Sequence, residues 1–481
     1  MKQSEFFSSR WGLILAALGM AVGTGNIWRF PRIVAQNGGG SFLIPWIIFL
    51  FLWSIPLLII EFSLGKKTRL GTVGAFGKFL GKKFTWMGAF VGFCTMAIMF
   101  YYSVVMGWCV KFFVASVSGD SGLAQSEQYW NTFTAGYQPV FFHFIAMALG
   151  SFVIYKGVVA GIEKANKILI PTLFLLLILA AVRALTLPGA IAGLDYLFKP
   201  DLDLLLNYKT WLEALTQSAW STGAGWGLIL TYAVYMRQKE DVVLNSFIAG
   251  LGNNSASLIA AMAILPTIFA ILPYDEAMQA VGAGNQGLTF IWIPQLFGQM
   301  PFGSFFMTIF FLALTAAALS SLIAMIELST RIFMDAGLQR PKAILFVGSC
   351  GFLLGLPSAF SLNILNNQDW VWGLGLILSG IFVAFAAIKY GVDKFRTELV
   401  NSEGNDIMAG TWFNVIVKFL IPIEFLVLLG WWFWKTIAGD PEGWWMPFKT
   451  YSLGTVLLQW AIALVVLIAV SNWLYKRTVK V

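Results

Sequence analysis

The chain has 481 residues, 58% of them hydrophobic and 11% charged, a composition that leaves no soluble domain over and marks a polytopic membrane protein. Its formal charge of +8 is explained by anionic lipid headgroups, so nucleic acid is not an expected partner. There is no His/Cys/Asp cluster at metal spacing, no phosphate-cradling loop and no Ser-His pair, so an enzyme is not expected either.

Twelve apolar runs of about 20 residues or more follow one another, each long enough to cross a bilayer core. They cover residues 11–36, 41–65, 84–116, 139–156, 164–183, 211–236, 242–273, 302–336, 341–358, 370–390, 411–435 and 452–475. The fold class expected is therefore all-α, integral to the membrane, a single domain over 1–481 with twelve transmembrane helices. Cations fall in alternate loops, among them Lys66, Lys67, Lys82, Lys83, Lys164, Arg237, Arg340, Lys394 and Lys476, whereas residues 117–138, 274–301 and 359–369 carry none. That asymmetry predicts both termini in the cytoplasm, with Lys199, Lys209 and Lys449 as outer exceptions. Cys94, Cys109 and Cys350 fall inside predicted spans, so no disulfide framework follows. Short tails and a cysteine-free loop after the third span fit a bacterial inner (cell) membrane.

The first span contains Gly19-Met20-Ala21-Val22-Gly23-Thr24-Gly25-Asn26, then Trp28, Arg29 and Pro31. Each glycine costs roughly 1 kcal/mol against alanine in a helix, and backbone groups freed at membrane depth are tolerated only where they line a cavity. The helix is expected to unwind there and to aim N–H groups and carbonyls at one spot, the floor of a site for a small zwitterion and its coupling ions. Span two holds Glu61 and span four holds His143, the only histidine; the glutamate needs a partner at that depth and the histidine reads as packing. The sixth span is interrupted in the same way, by Gly223, Gly225 and Gly227 among Gln217, Trp220, Ser221 and Trp226.

Two Gly-broken spans five helices apart point to a five-plus-five inverted repeat with unwound first and sixth helices, residues 11–183 and 211–396, with 411–476 as two peripheral helices. Spans seven and eight add Asn253, Ser257, Ser320, Ser321 and Glu327 at depth. Arg29 and Asp369 fall on the outer side as a pair able to close over a solute. Tyr235 and Asp335 close spans six and eight on the inner side as parts of an inner gate.

The stretches AVGTGNIWRFP from Ala21, NGGGSFLIPW from Asn37 and GIEKANK from Gly161 resemble the neurotransmitter:sodium symporters, bacterial amino-acid transporters and their animal relatives, across the whole chain. The inverted-repeat rule was itself drawn from transporters of this build. The resemblance implies two Na⁺ sites. The first would use the Ala21 carbonyl, Asn26, Ser221, Asn253 and the substrate carboxylate. The second would use the carbonyls of Gly19, Val22 and Ala317 with the hydroxyls of Ser320 and Ser321. The amino-acid carboxylate would meet the N–H groups of Thr24 and Gly25 and the hydroxyl of Tyr102, and the amine would face carbonyls of Ala21, Trp220 and Ser221. Ile98, Trp226, Ser321 and Met325 would wall the pocket, with Trp220 and Tyr102 as its lid.

Trp226, where many family members carry phenylalanine, would narrow the pocket, and Gly223 would vacate space for an N-methyl group. Glycine, alanine or sarcosine follows if the indole points in, a bulky hydrophobic amino acid if it turns away. Ser257 stands where chloride-independent members carry glutamate, so Trp46, Gln217, Ser221, Asn253 and Ser257 would surround a chloride, a dependence left open. At the inner gate the expected Arg and Trp read Ser4 and Phe7, leaving Lys2 or nothing as the ionic partner of Asp335. A channel is the alternative class, though the pointers converge on one closed site rather than a continuous polar path. Monomer and homodimer are equally open.

Overall fold

The computed structural model describes residues 6–402 and 405–479, so Lys2 and Ser4 lie outside the described residues. All regular structure among them is helical. Among the described residues nine helices are long and apolar enough to cross a membrane: Gly40–Thr68, Lys82–Ser118, Gln138–Tyr155, Val158–Leu185, Val242–Ile271, Gly303–Asp335, Arg340–Phe360, Leu362–Tyr390 and Trp412–Gly439. Two bent pairs raise the number to eleven: Arg10–Ala21 with Gly25–Gln36, meeting at 51°, and Leu453–Ala469 with Ser471–Thr478, at 58°.

The count departs from twelve at one place. The expected sixth span is divided into Tyr208–Ser221 and Leu228–Ala233, with residues 222–227 in neither helix, because its glycines remove a continuous apolar helix from that run. Asp369 also differs from expectation. It lies inside Leu362–Tyr390 rather than at its start, since the polar run Asn366-Asn367-Gln368 is helical and faces polar partners: Gln286 Nε2 donates to Asn366 at 3.0 Å and Asn367 Nδ2 to Thr455 at 3.2 Å.

Gly303–Asp335 is the axis of the bundle. It packs on Thr85–Ser118 and Lys164–Leu185, and 83% of its most apolar window is buried, against 33% for Gln138–Tyr155 and Trp412–Gly439, which turn most of their surface outward. Arg10–Ala21 lies on Lys164–Leu185 and Val242–Ile271 at a separation only glycine permits: a Cβ at Gly19 would sit 1.9 Å from Asn166 Oδ1, and one at Gly12 2.3 Å from Glu163 Oε1. Glu163 also accepts from the Ser8 N–H at 2.7 Å and pairs with Lys167 at 2.7 Å, so the GIEKANK stretch anchors the start of the first span. Gly19→Ala is expected to lower stability by about 1–3 kcal/mol, the usual range for overpacking, read as a fall in thermal midpoint of the detergent-purified protein.

Candidate functional site

The first helix ends where Val22 turns extended, with φ −86° and ψ 103°. The break is closed by side chains rather than by helix bonds. The Gly23 N–H donates to Asn26 Oδ1 at 2.8 Å, and the Thr24 N–H and hydroxyl reach the Tyr102 hydroxyl at 3.2 and 3.3 Å. A Cβ at Gly23 would lie 2.8 Å from Ser321 Oγ, so the missing side chain lets the strand of backbone touch the central helix.

The second break turns on Gly223, Gly225 and Gly227, at φ +72°, +85° and +78°. These are left-handed values that a Cβ disfavours, and three in five residues abolish a helix. The buried Glu61 carboxylate finishes the turn. It accepts from the Gly225 N–H at 2.6 Å and the Leu230 N–H at 3.2 Å, placing negative charge where the following helix exposes its first donors. Glu61 is therefore the partner of the second break, while Glu327 pairs with Arg340 at 2.6 Å and accepts from Tyr235 at 2.5 Å. His143 packs, with its Nε2 3.0 Å from the Phe352 carbonyl.

Between the breaks lies a cavity of about 750 Å³. Ala21, Thr24, Gly25, Ile98, Tyr102 and Trp220 line it, as do Ser221, Gly223, Trp226, Ser321 and Met325. It continues past Arg29 and Asp369 to a mouth at Lys209, Lys435 and Tyr451. Trp226 presents itself to the cavity, its indole N–H without a hydrogen-bond partner and its carbonyl accepting from Thr95 at 2.6 Å. The space beside Gly223 is not vacant: Met20 Sδ lies 2.5 Å from where a Cβ would stand.

Two groups of neutral oxygens flank the cavity floor. One end of the Asn253 amide stands 2.9 Å from the Ala21 carbonyl, 3.1 Å from the Ser221 carbonyl and 2.7 Å from Asn26 Nδ2. As an oxygen it faces two other oxygens, an arrangement that suits a hard cation; as a nitrogen it would donate to both. Asn26 Nδ2 also donates to Ser257 Oγ at 2.8 Å. In the second group Ser320 Oγ lies 3.4 Å from the Val22 carbonyl and 3.0 Å from that of Ala317, and Ser321 Oγ lies 3.5 Å from Val22. Gly19 meets Asn166 through its missing side chain, as described above. Of the remaining expected residues, Trp46 packs on Phe30 with centroids 4.3 Å apart, and its buried indole N–H and Gln217 Oε1 have no hydrogen-bond partners.

The two ends of the cavity differ. Toward the mouth, Arg29 does not pair with Asp369. Its guanidinium lies over Trp220, 3.8 Å from the ring centroid, and Asp369 accepts from the Tyr101 hydroxyl at 3.0 Å. At the opposite end the chain is closed. Phe7 is buried, edge-on to Tyr232 and Tyr235 at 6.1 and 6.5 Å, and its N–H donates to the Tyr235 carbonyl at 3.1 Å. Asp335 has an ionic partner that the sequence reading missed, Arg331 at 2.7 Å one helical turn back, and it accepts from the Gly71 N–H at 2.6 Å. The spacing of Arg331 and Asp335, i and i+4 on one helix, was the available signal. No comparable signal marks Met20 beside Gly223 or Glu61 beside Gly225, contacts that span 203 and 164 residues of chain.

Comparison with known proteins matches the profile of the sodium:neurotransmitter symporter family to residues 4–138 and 137–480. An uncharacterized sodium-dependent transporter of Methanocaldococcus jannaschii is 33% identical over 446 residues, covering 88% of this chain and 89% of the relative. The sodium-dependent serotonin transporter of Drosophila melanogaster is 28% identical over 511 residues, covering 94% and 80%. Among solved structures, MhsT in complex with L-phenylalanine superposes with a TM-score of 0.77 at 30% identity, covering 88% of this chain and 98% of that one.

Proposed function

The chain belongs to the sodium:neurotransmitter symporter family, and from that premise we propose that it is a secondary active symporter coupling inward Na⁺ movement to uptake of a small neutral amino acid. The observation that carries this reading is the pair of neutral-oxygen clusters beside the first helix break, one shared with Ser221 and Asn253 and one with the central helix, both beside one cavity lined by Thr24, Tyr102 and Trp226.

In this reading the chain crosses the membrane twelve times, the divided segment 208–233 counting as the sixth crossing, with residues 11–183 and 211–396 as inverted halves and both termini in the cytoplasm of a cell-membrane protein. Na⁺ is a co-substrate. One ion is held by the Ala21 carbonyl, Asn26, Ser221 and Asn253, the other by Gly19, Val22, Ala317, Ser320 and Ser321, through neutral oxygens of the kind a hard cation accepts. Asn26, whose nitrogen now faces Asn253 and Ser257, joins the first set by turning its oxygen to the ion. The amino-acid carboxylate takes the Thr24 and Gly25 N–H groups and the Tyr102 hydroxyl, displacing the bond that now joins Thr24 to Tyr102. Its second oxygen completes the first ion's shell, so each ligand raises the other's affinity by the same factor. Each Na⁺ entering a negative interior contributes about 2.3 kcal/mol per 100 mV beyond its concentration gradient. The arrangement found, with Arg29 and Asp369 apart and Tyr235, Glu327 and Arg340 joined, corresponds to the state open to the outside.

Read with its indole turned into the cavity that it lines, Trp226 favours glycine or alanine. Met20 beside Gly223 removes the space once reserved for an N-methyl group, so sarcosine gains no advantage. A bulky hydrophobic substrate is the second reading, favoured by the likeness to MhsT with bound phenylalanine. Chloride beside Ser257 is supported by the unpartnered indole N–H of Trp46, while the unpartnered atom of Gln217 is its acceptor oxygen and adds nothing to that reading.

The test is uptake of labelled glycine, alanine, leucine and phenylalanine into proteoliposomes, with Na⁺ or K⁺ and with chloride or gluconate. Sodium-driven accumulation of glycine or alanine is expected, and no sodium-driven accumulation of any amino acid would overturn the function. Trp226→Phe is expected to shift preference toward leucine at least about tenfold, the scale set by one or two buried methylenes; an unchanged preference removes Trp226 from the size argument.

A further inference from the structure

Trp220 is expected to act as part of the substrate lid, and the side chain that fixes its position comes from Trp412–Gly439, outside both helix breaks. One face of the Trp220 ring carries Arg29 at 3.8 Å. Trp432 stacks against the same ring, with centroids 5.7 Å apart and planes 21° from parallel. Trp432 is itself held. Its indole N–H donates to Thr216 Oγ1 at 3.1 Å, and Thr216 has turned its own proton to the Leu212 carbonyl at 2.7 Å, leaving a lone pair for the indole. Thr216 precedes Trp220 by one turn of the same helix, so the hydrogen bond and the stack clamp Trp432 along one helix face. Trp370 packs edge-on at 5.2 Å, and the Lys435 ammonium lies 4.5 Å from the Trp432 centroid while pairing with Glu213 at 2.9 Å.

We propose that Trp432 is a positioning residue for the outer gate: by bracing Trp220 it keeps the ring available to Arg29 and so holds Arg29 away from Asp369. This rests on the reading of Arg29 and Asp369 as that gate. The balance is poised from the other side as well. Among the described residues Arg29 Nε is buried without a hydrogen-bond partner, and Asp369 holds only the Tyr101 hydroxyl. A buried charge with unused donors gains by pairing. Without Trp432 the Trp220 ring loses its support, the cation loses its platform, and the pair across the cavity closes. A helix outside the expected five-plus-five repeat thereby sets how long the cavity stays open.

The experiment reads the gate without needing a transported substrate. Cys94 and Cys109 are buried, and Cys350→Ser with Ile98→Cys leaves one thiol on the cavity wall, which Ile98 lines with Trp220, for a membrane-impermeant methanethiosulfonate reagent to reach. In Na⁺, Trp432→Ala is expected to slow its labelling about three- to tenfold, the range that the loss of one aromatic pair allows. In an Asp369→Asn background, where the closing partner has lost its charge, the same substitution is expected to have no effect. Thr216→Val keeps the side-chain shape while removing the indole's acceptor and the local bond to the Leu212 carbonyl, and is expected to slow labelling in the same direction by a smaller factor; it carries the test if Trp432→Ala does not fold. Unchanged labelling in Trp432→Ala and Thr216→Val, or an equal slowing with Asp369→Asn, overturns the proposal. Failure of amino-acid uptake with the labelling pattern intact would instead count against the proposed substrate alone.

Discussion

Asn26→Ala is expected to abolish Na⁺-dependent uptake at ordinary Na⁺ concentrations while leaving the purified protein monodisperse. The Asn26 amide works in two directions at once. Its oxygen takes the Gly23 N–H at 2.8 Å and so holds the first break open, and its nitrogen donates to Asn253 and Ser257 at 2.7 and 2.8 Å. Alanine strands at least one buried donor and one acceptor, at about 1–3 kcal/mol each. The loss also removes an oxygen from the first ion's shell, and each ~2 kcal/mol lost from the ion-bound state alone raises the half-saturating Na⁺ concentration by roughly 30-fold. A Na⁺ titration of uptake measures it, and half-saturation within threefold of the parent would remove Asn26 from the first ion site.

Glu61→Ala is expected to produce the largest stability loss. The carboxylate is fully buried and accepts from the Gly225 and Leu230 N–H groups, the first in the break itself and the second in the opening turn of Leu228–Ala233, where a helix leaves its donors unpaired. No water replaces it at that depth, so two orphaned donors add about 2–6 kcal/mol to the folded state's free energy. Glu61→Gln keeps one acceptor oxygen and the shape, and its loss should be about half. Thermal unfolding in detergent, followed by size-exclusion recovery, ranks the three proteins. Equal midpoints for parent and alanine variant would show that the second break holds itself without the carboxylate.

Much of the architecture was legible from the residues because it depends on local causes. Glycine at Gly223, Gly225 and Gly227 removes the helix wherever the chain later packs, and Gly23 stands in the first break, which is short, with helix resuming at Gly25. Both breaks stand within the stretches where the glycines cluster. The resemblance carried by Ala21 to Pro31 agreed with the family to which the chain belongs. The eleven residues expected around the substrate all line one cavity, because a motif that sets two backbone openings at one depth leaves little choice about what faces them. The count of spans was less legible, since the glycines that mark the sixth segment also make it too broken to count as one apolar helix.

What the sequence by itself determined, then, was where backbone hydrogen bonding must fail and which polar groups stand nearby, both consequences of side-chain size and charge within a few residues. Only the tertiary structure decided that Glu61 completes the second break, that Met20 fills the space at Gly223, that Asp335 pairs with Arg331, and that Arg29 lies on Trp220 braced by Trp432 instead of on Asp369. Most of these contacts join residues well over 100 positions apart. Their competition is settled by fractions of an ångström in helix packing, which no local preference encodes.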